Sequence, residues 1–187
     1  MAVRLTAAPV ADPSGWERLA AVLVPVIDGR EPSLVFTQRA DELPRHPGEI
    51  SFPGGLAEER DGELARTALR EAHEELGLDP SVVEVVGALA PIHTRVSGIL
   101  VVPFVGFLEA RPALTPNTGE IAEVLEYPLR RLAAAEARVE WSLGDERVYR
   151  GVAYDMDGRM IWGATAEMLH ELLRLVRSET PWMINTA

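Results

Sequence analysis

The sequence contains no cysteine among its 187 residues. Disulfide bonds, thiol catalysis and zinc–thiolate sites are therefore excluded. Basic residues are also few, since 18 Lys and Arg stand against 29 Asp and Glu and give a formal net charge of −11 at pH 7. This charge argues against nucleic acid or an anionic membrane as a partner, because both would repel the protein. An acidic protein that handles phosphate groups would need a metal ion or local Arg and Lys side chains.

Long apolar runs are absent as well, and no stretch of the sequence is long enough to cross a bilayer. The N-terminus shows no signal-like pattern, so the cytoplasm is the expected location. Apolar residues make up 47% of the chain, which is enough to bury a core. The length predicts one domain over residues 1–187, with a short N-terminal arm and a C-terminal tail. We expect a monomer or a homodimer.

Residues 63–76 contain neither Pro nor Gly and predict a helix that Gly77 ends. At about 100° per residue, Glu71, Glu74 and Glu75 share an arc of roughly 100° on this helix. A second face is apolar and is predicted to pack on a sheet. It consists of Ala65, Leu69, Ala72 and Leu76. The acidic face is predicted to point away from the sheet.

The three carboxylates lie at the negative end of the helix dipole, where each exposed one costs about 0.3–1 kcal/mol. Arg70 stands four residues before Glu74 and is expected to pair with it. This pairing would leave Glu71 and Glu75 without a neutralising charge. Crowded carboxylate oxygens are ligands that Mg²⁺ and Mn²⁺ prefer. A solvated acidic helix end is the alternative explanation of the same residues.

A glycine-containing loop precedes the helix, and its flexible backbone could approach a ligand closely. The loop is Phe52-Pro53-Gly54-Gly55. From there the chain continues as Gly55-x5-Asp61-x8-Arg70-Glu71-Ala72-x-Glu74-Glu75-x-Gly77-Leu78. This run, over residues 55–78, resembles the Nudix box, Gly-x5-Glu-x7-Arg-Glu-apolar-x-Glu-Glu-x-Gly-apolar. Asp61 replaces the usual Glu and the next spacer is one residue longer, whereas the half that carries the metal ligands is intact.

A second resemblance lies just ahead of the box. A Nudix subfamily that acts on coenzyme A carries Leu-Leu-Thr-x-Arg-(Ser/Ala)-x3-Arg-x3-Gly-x3-Phe-Pro-Gly-Gly. The matching register here is Val35-Phe36-Thr37-Gln38-Arg39-Ala40, Pro44, Gly48 and Phe52-Pro53-Gly54-Gly55. Pro44 occupies the place of the second Arg, and Arg45 follows it. Near the C-terminus, Ile161-Trp162-Gly163-Ala164-Thr165-Ala166 is also similar to this subfamily.

The resemblance implies the Nudix fold, an α/β (α+β) architecture in which a mixed sheet lies between helices as an α/β/α sandwich. It implies metal-dependent hydrolysis of a pyrophosphate bond in a nucleoside diphosphate derivative. Coenzyme A or its derivatives would give adenosine 3′,5′-bisphosphate and 4′-phosphopantetheine. Two alternatives stay open. The substrate would be ADP-ribose, a nucleotide sugar or a dinucleotide, or the chain would be a Nudix-like module that binds a nucleotide without cleaving it.

Carried over onto this sequence, the resemblance assigns the Mg²⁺ or Mn²⁺ ion to Glu71 and Glu75. Glu74 would be a further ligand or a base, and Arg70 would orient the carboxylates. Nudix enzymes often supply an extra carboxylate from a loop beyond the box, as general base or metal ligand. Glu120 stands where such a residue is expected, with Glu123 as the alternative. A glutamate at a helix N-terminus would equally explain Glu120.

The substrate side of the implied site consists of two glycines and two cations. Gly54 and Gly55 would form its floor, and Arg39 and Arg45 would bind the phosphates.

The remaining secondary-structure elements are predicted from β-branched and alternating patterns. Strands are predicted over 20–27, 33–38, 82–90, 99–108, 138–143, 147–154 and 159–162. Pro25 suggests an edge or a bulge in the first of them, and helices are predicted after residue 127 and from about 161 to 177.

Overall fold

The computed structural model describes residues 18–43, 47–94, 98–142, 148–181 and Ile184. Pro44, Arg45 and the predicted N-terminal arm, residues 1–15, lie outside these residues. The strands are β1 (Leu19–Ile27), β2 (Ser33–Arg39), β3 (Ile50–Ser51), β4 (Gly54–Leu56), β5 (Glu84–Ala88), β6 (Ile92–His93), β7 (Leu100–Leu108), β8 (Ile121–Pro128), β9 (Glu136–Ser142), β10 (Val148–Met156) and β11 (Arg159–Ile161). The helices are α1 (Leu64–Leu76), α2 (Leu129–Ala135) and α3 (Gly163–Glu179).

The first eight strands form one mixed sheet. β1 runs parallel to β7 along its whole length, from Leu19 opposite Leu100 to Ile27 opposite Leu108. The other pairings are antiparallel: β5 and β6 pair with β7, and β8 pairs with β2. The prediction of a mixed sheet is therefore confirmed. β9, β10 and β11 form a separate antiparallel sheet, which confirms the late strands expected from the alternating pattern.

β1 and β2 diverge along their length, and this opening receives the glycine loop. β1 pairs with β2 only at Val26 and Ile27, and it pairs with β4 over residues 20–22. β2 in turn pairs with β3 at Thr37 and Gln38. The segment that joins β3 to β4 therefore lies between the diverging strands.

Pro25 lies inside the sheet, so the predicted edge or bulge is wrong. β1 has β7 on one side and β2 and β4 on the other. Leu23 donates its backbone N–H to the Pro53 carbonyl at 2.8 Å on the β4 side, and position 25 faces the same side because strand residues alternate. Pro25 falls in the gap between the β4 pairing and the β2 pairing that starts at Val26. Its missing N–H therefore costs no hydrogen bond between strands.

Helices cover both faces of the mixed sheet, which confirms the predicted α/β/α sandwich. Alternate residues of β1 point to opposite faces. On one face Ala21 and Leu23 pack against α1. On the other face Val24 and Val26 pack against α2 and α3. The predicted last helix is present as α3, and its apolar stripe is buried through Met168, Leu169, Leu172, Leu173 and Val176. In the described part of the chain, no helix is both long enough and apolar enough to span a bilayer.

The small sheet closes over the α3 side of the core. Tyr154 of β10 is fully buried there, and its hydroxyl donates to Glu136 at 3.3 Å. Glu136 also accepts a hydrogen bond from Arg177 at 3.1 Å and lies 3.4 Å from Nδ1 of His170, both on α3. This carboxylate therefore connects the small sheet to the last helix.

Candidate active site

The predicted helix is present as α1, and Gly77 ends it. Gly77 adopts a left-handed conformation with φ of 65°, which favours glycine, and its N–H donates to the His73 carbonyl at 2.8 Å. The buried face is rotated from the predicted one, since Ala65 and Leu69 stay partly exposed. The residues of α1 that are buried are Thr67, Ala68, Ala72, Glu75 and Leu76.

This rotation gives the three glutamates of the box different environments. The Glu74 side chain is 49% exposed and the Glu71 side chain 18% exposed, whereas Glu75 is only 7% exposed. The predicted orientation away from the sheet is therefore right for Glu74 and wrong for Glu75. A solvated acidic helix end does not explain a glutamate buried this deeply.

Glu75 is a buried carboxylate with little compensation. Its Oε2 atom has no hydrogen-bond partner among the described residues. Burial, together with the negative charges of Glu71 and Glu120, raises the pKa of Glu75 to about 8. A hydrogen bond from the Gly54 backbone and the charge of Arg39 lower this pKa but do not restore it. A bound cation would supply the missing compensation.

Arg70 pairs more widely than the sequence predicts. Its Nη1 donates to Glu74 Oε2 at 3.0 Å, as expected, and also to Glu71 Oε1 at 2.9 Å. Its Nη2 donates to the Leu56 carbonyl at 3.0 Å, which joins α1 to β4. The expectation that Glu71 lacks a neutralising partner is therefore wrong, and Glu75 is the carboxylate with little compensation. Burial raises the pKa of Glu71, while Arg70 partly opposes that rise.

Asp61 stands in the sequence as a substitution for the usual Glu of the box, and it is the principal partner of Arg70. Nε of Arg70 donates to Asp61 Oδ1 at 2.8 Å and Nη2 donates to Oδ2 at 3.1 Å. The hydrogen bonds from Arg70 hold the pKa of this buried carboxyl far below its ordinary value. The sequence feature that indicates this role is the position of Asp61 in the box, where an acidic residue is usual.

The two glycines of the loop lie against different parts of the structure. A Cβ at Gly55 would stand 2.5 Å from Cδ and Oε1 of Glu71. A Cβ at Gly54 would stand 2.5 Å from the Ala21 carbonyl oxygen and 2.6 Å from Cα of Val22. The loop therefore approaches α1 and β1 as closely as it does because both positions lack a side chain.

Glu120 reaches the site through backbone hydrogen bonds at the end of α1. The N–H groups of Thr115 and Asn117 donate to the carbonyls of Leu76 and Glu75 at 2.7 and 2.8 Å. These bonds satisfy helix-end carbonyls and fix the loop that leads to Glu120. The charge of Glu120 contributes to the raised pKa of Glu75, so the structure brings the two carboxylates near each other.

Glu120 precedes a strand, β8, so the explanation as a helix N-terminal glutamate is wrong. The alternative residue, Glu123, lies on β8 and pairs with Arg159 at 2.8 Å.

Of the substrate-binding candidates, Arg39 ends β2, and its charge acts on Glu75. The N–H of the next residue, Ala40, donates to the Glu120 carbonyl at 2.9 Å. Arg45 lies outside the described residues.

The carboxylates do not form a ready-made metal centre. Among the residues that the structure describes, no three His, Cys, Asp or Glu side chains converge to hold an ion. The donor set nevertheless fits a hard divalent cation, because it consists of carboxylate oxygens that already interact electrostatically. The unpartnered Oε2 of Glu75 is a further observation in favour of such an ion.

The sequence profile of the NUDIX domain matches residues 17–150. The chain belongs to the Nudix hydrolase family. It is 38% identical over 168 residues to the uncharacterized Nudix hydrolase NudL of Pectobacterium atrosepticum, with 88% of this chain and 85% of that protein covered. Against the uncharacterized NudL of Yersinia pestis (strain Pestoides F) the identity is 38% over 164 residues, with coverage of 87% and 82%.

The fold is similar to that of RenU, a Nudix hydrolase from M. smegmatis, with a TM-score of 0.59, 17% identity and coverage of 87% of this chain and 86% of that one. It is also similar to a C. elegans Ap4A hydrolase, with a TM-score of 0.58, 12% identity and coverage of 86% and 98%. At these identities the similarity establishes the fold. Nudix enzymes generally use divalent metal ions and act on small-molecule substrates.

Proposed function

We propose that this chain hydrolyses the pyrophosphate bond of coenzyme A or its derivatives, giving adenosine 3′,5′-bisphosphate and 4′-phosphopantetheine. The observation that carries the proposal is Glu75, a buried carboxylate with an unpartnered oxygen next to the glycine loop. Burial is the main cause that raises the pKa of this carboxylate to about 8, and a bound cation would lower that pKa and favour the charged form. Metal-assisted pyrophosphate hydrolysis is the chemistry that such a site supports best.

Glu71 and Glu75 would hold Mg²⁺ or Mn²⁺, with Glu74 as a further ligand or as a base. When bound, the ion supplies charge compensation for the diphosphate oxygens and acidifies a water molecule. Arg70 holds the Glu71 carboxylate through its hydrogen bond. Glu120 is exposed and faces the same carboxylates, so it is our candidate for the group that accepts a proton from water.

Arg39 and Arg45 would bind the substrate phosphates, and Gly54 and Gly55 would form the floor of the site. The charge of Arg39 already acts on Glu75, which supports its place on the phosphate side of the site. The motif around Arg39, Gly48 and the glycine loop supports coenzyme A over other nucleotides. We also propose that residues 1–187 act as one domain; the cytoplasmic location and the monomeric or homodimeric state stay predictions.

One observation favours a different substrate within the same family. Pro44 stands where the coenzyme A subfamily has its second Arg. ADP-ribose, a nucleotide sugar or a dinucleotide is therefore the second candidate. A non-catalytic binding module is disfavoured because such modules typically lose the glutamates of the box, and Glu71, Glu74 and Glu75 all remain here.

A panel of pyrophosphate compounds tests the proposal. Coenzyme A, dephospho-coenzyme A, ADP-ribose, a nucleotide sugar and a dinucleotide are each incubated with Mg²⁺ or Mn²⁺, and the products are identified by mass. We expect coenzyme A to be cleaved fastest, and chelation to stop the reaction. Faster cleavage of another compound would replace coenzyme A as substrate, and cleavage of none would favour the binding module.

A further inference from the structure

Thr67 is a fully buried residue of α1 with an unusual hydrogen bond. Its hydroxyl donates to Oδ2 of Asp61 at 2.8 Å. A threonine inside a helix commonly returns its hydroxyl to a carbonyl one turn earlier. Here the hydroxyl instead reaches out of α1 to the 3₁₀ turn Glu59–Asp61. Only a hydroxyl at position 67 can make this bond, because a methyl group in its place has no proton to donate.

Asp61 receives hydrogen bonds on both carboxylate oxygens. Oδ1 accepts from Nε of Arg70, whereas Oδ2 accepts from Thr67, from the Glu58 N–H at 3.0 Å and from Nη2 of Arg70. With four donors arranged around it, the carboxylate cannot rotate. The guanidinium of Arg70 is therefore held by two bonds in its own plane, which fixes its orientation as well as its position.

The same guanidinium of Arg70 also donates a hydrogen bond to Glu71. Nη1 of Arg70 donates to Glu71 Oε1 at 2.9 Å. A chain of contacts therefore runs from the Thr67 hydroxyl through Asp61 and Arg70 to the Glu71 carboxylate. On its other side the Glu71 carboxylate lies so close to Gly55 that a Cβ there would stand 2.5 Å from it, so the carboxylate is confined between Arg70 and the glycine loop.

We infer that Thr67 is a positioning residue for the divalent cation at Glu71 and Glu75, acting through Asp61 and Arg70. The inference rests on the proposed function, since it concerns the ion that the same site would hold. Thr67 would act indirectly, because its hydroxyl donates to Asp61 and not to Glu71 or Glu75. Outer residues that orient metal ligands typically contribute 10- to 100-fold to metal affinity or activity.

The test compares Thr67→Val, which keeps the shape but loses the hydroxyl, with Thr67→Ser, which keeps the hydroxyl. Ser33→Ala is the matched control, because the buried Ser33 also donates its hydroxyl to a carboxylate, Glu126, at 2.6 Å. Binding of Mn²⁺ alone is measured by electron paramagnetic resonance. We expect Thr67→Val to weaken Mn²⁺ binding about tenfold, and Thr67→Ser and Ser33→Ala to stay within about twofold of wild type.

A second variant keeps the inference testable if Thr67→Val unfolds the protein. Asp61→Asn removes the middle of the chain of contacts and should weaken Mn²⁺ binding at least as much as Thr67→Val. Because both residues act along one path, the double variant should bind Mn²⁺ no more weakly than Asp61→Asn alone. Additive losses would overturn the inference.

Two further outcomes would overturn it: wild-type affinity in Thr67→Val, or equal weakening in Thr67→Val and Thr67→Ser. Mn²⁺ binding separates this result from the proposed function. A wild type that binds Mn²⁺ but cleaves no pyrophosphate contradicts the proposed function alone. A wild type that does not bind Mn²⁺ contradicts both.

Discussion

Gly55 lies so close to Glu71 that a β-carbon at position 55 would stand 2.5 Å from the carboxylate of Glu71. The carboxylate is the far end of a flexible side chain and can move aside. We therefore expect Gly55→Ala to fold normally and to lose about tenfold or more in turnover, because Glu71 leaves its position. Turnover and the thermal midpoint are measured on the same preparation.

Gly54→Ala is the control for that experiment, because its β-carbon would meet the Ala21 carbonyl and the Val22 backbone. Backbone atoms of β1 cannot move aside as a side chain can, so this variant should be clearly less stable than wild type. Equal stability losses in the two alanine variants would show that Gly55 matters for the backbone and not for Glu71.

Divalent metal should stabilise the folded protein, because the ion binds the assembled carboxylates and hardly binds the unfolded chain. At a metal concentration about 100 times Kd, the expected gain is about 2.7 kcal/mol in free energy of unfolding. Differential scanning fluorimetry with Mg²⁺ and Mn²⁺ measures it as a rise in Tm. In Glu71→Gln/Glu75→Gln the rise should nearly vanish, whereas an equal rise in both proteins would place the ion elsewhere.

Glu136 lies at the junction of the small sheet and α3, and its ionisation makes the free energy of unfolding depend on pH. Burial raises the pKa of Glu136, but the hydrogen bond and charge of Arg177, with His170 nearby, outweigh burial and hold this pKa below its ordinary value of 4.5. Because the folded pKa is depressed, this stabilisation is present above about pH 4.5 and is lost as the pH falls through the folded pKa. Glu136→Gln should cost about 1–2 kcal/mol at pH 7 and much less in acid.

Urea unfolding at pH 7 and at progressively lower pH measures this difference. Glu140→Gln is a matched control, since Glu140 pairs with Arg150 while both side chains are more than half exposed. That pair should contribute little at either pH. A Glu136 effect that is independent of pH would contradict the ionic explanation.

The 3′-phosphate of coenzyme A offers a test of the substrate. If Arg45 binds this group, Arg45→Ala should raise KM for coenzyme A by roughly ten- to a hundredfold, since charge-assisted hydrogen bonds contribute about 1.5–3 kcal/mol. The effect on dephospho-coenzyme A should be smaller. Steady-state kinetics compare both substrates, with the exposed Arg174→Ala on α3 as a control for the loss of one positive charge. Equal losses on both substrates would argue against the coenzyme A assignment.

Sequence patterns predicted the helices, the long strands and the acidic helix end, because apolar periodicity and glycine stops are local signals. The position of the buried face of α1 was predicted wrongly for a physical reason. Thr67 and Glu75 are polar, so a rule that buries only apolar residues turns the helix towards Leu69. Such local exceptions concentrate where a fold builds a functional site.

Other parts of the site depend on contacts that leave no pattern in the sequence. Glu120 approaches Glu75 because backbone groups of Thr115 and Asn117 bond to the end of α1, and backbone bonds carry no residue signature. Pro25 is tolerated in the middle of the sheet only because β2 and β4 leave a gap at that point. Both features require the three-dimensional pairing of distant segments.

Turnover of Glu75→Gln, measured with its thermal midpoint in chelator, tests the central claim most directly. Loss of a hard ligand should reduce hydrolysis at least about a hundredfold at saturating Mg²⁺. Removal of a buried carboxylate that has little compensation should leave the thermal midpoint of the metal-free protein unchanged or higher. Hydrolysis within a few-fold of wild type would contradict the account, because Glu75 would then be no ligand of a catalytic ion.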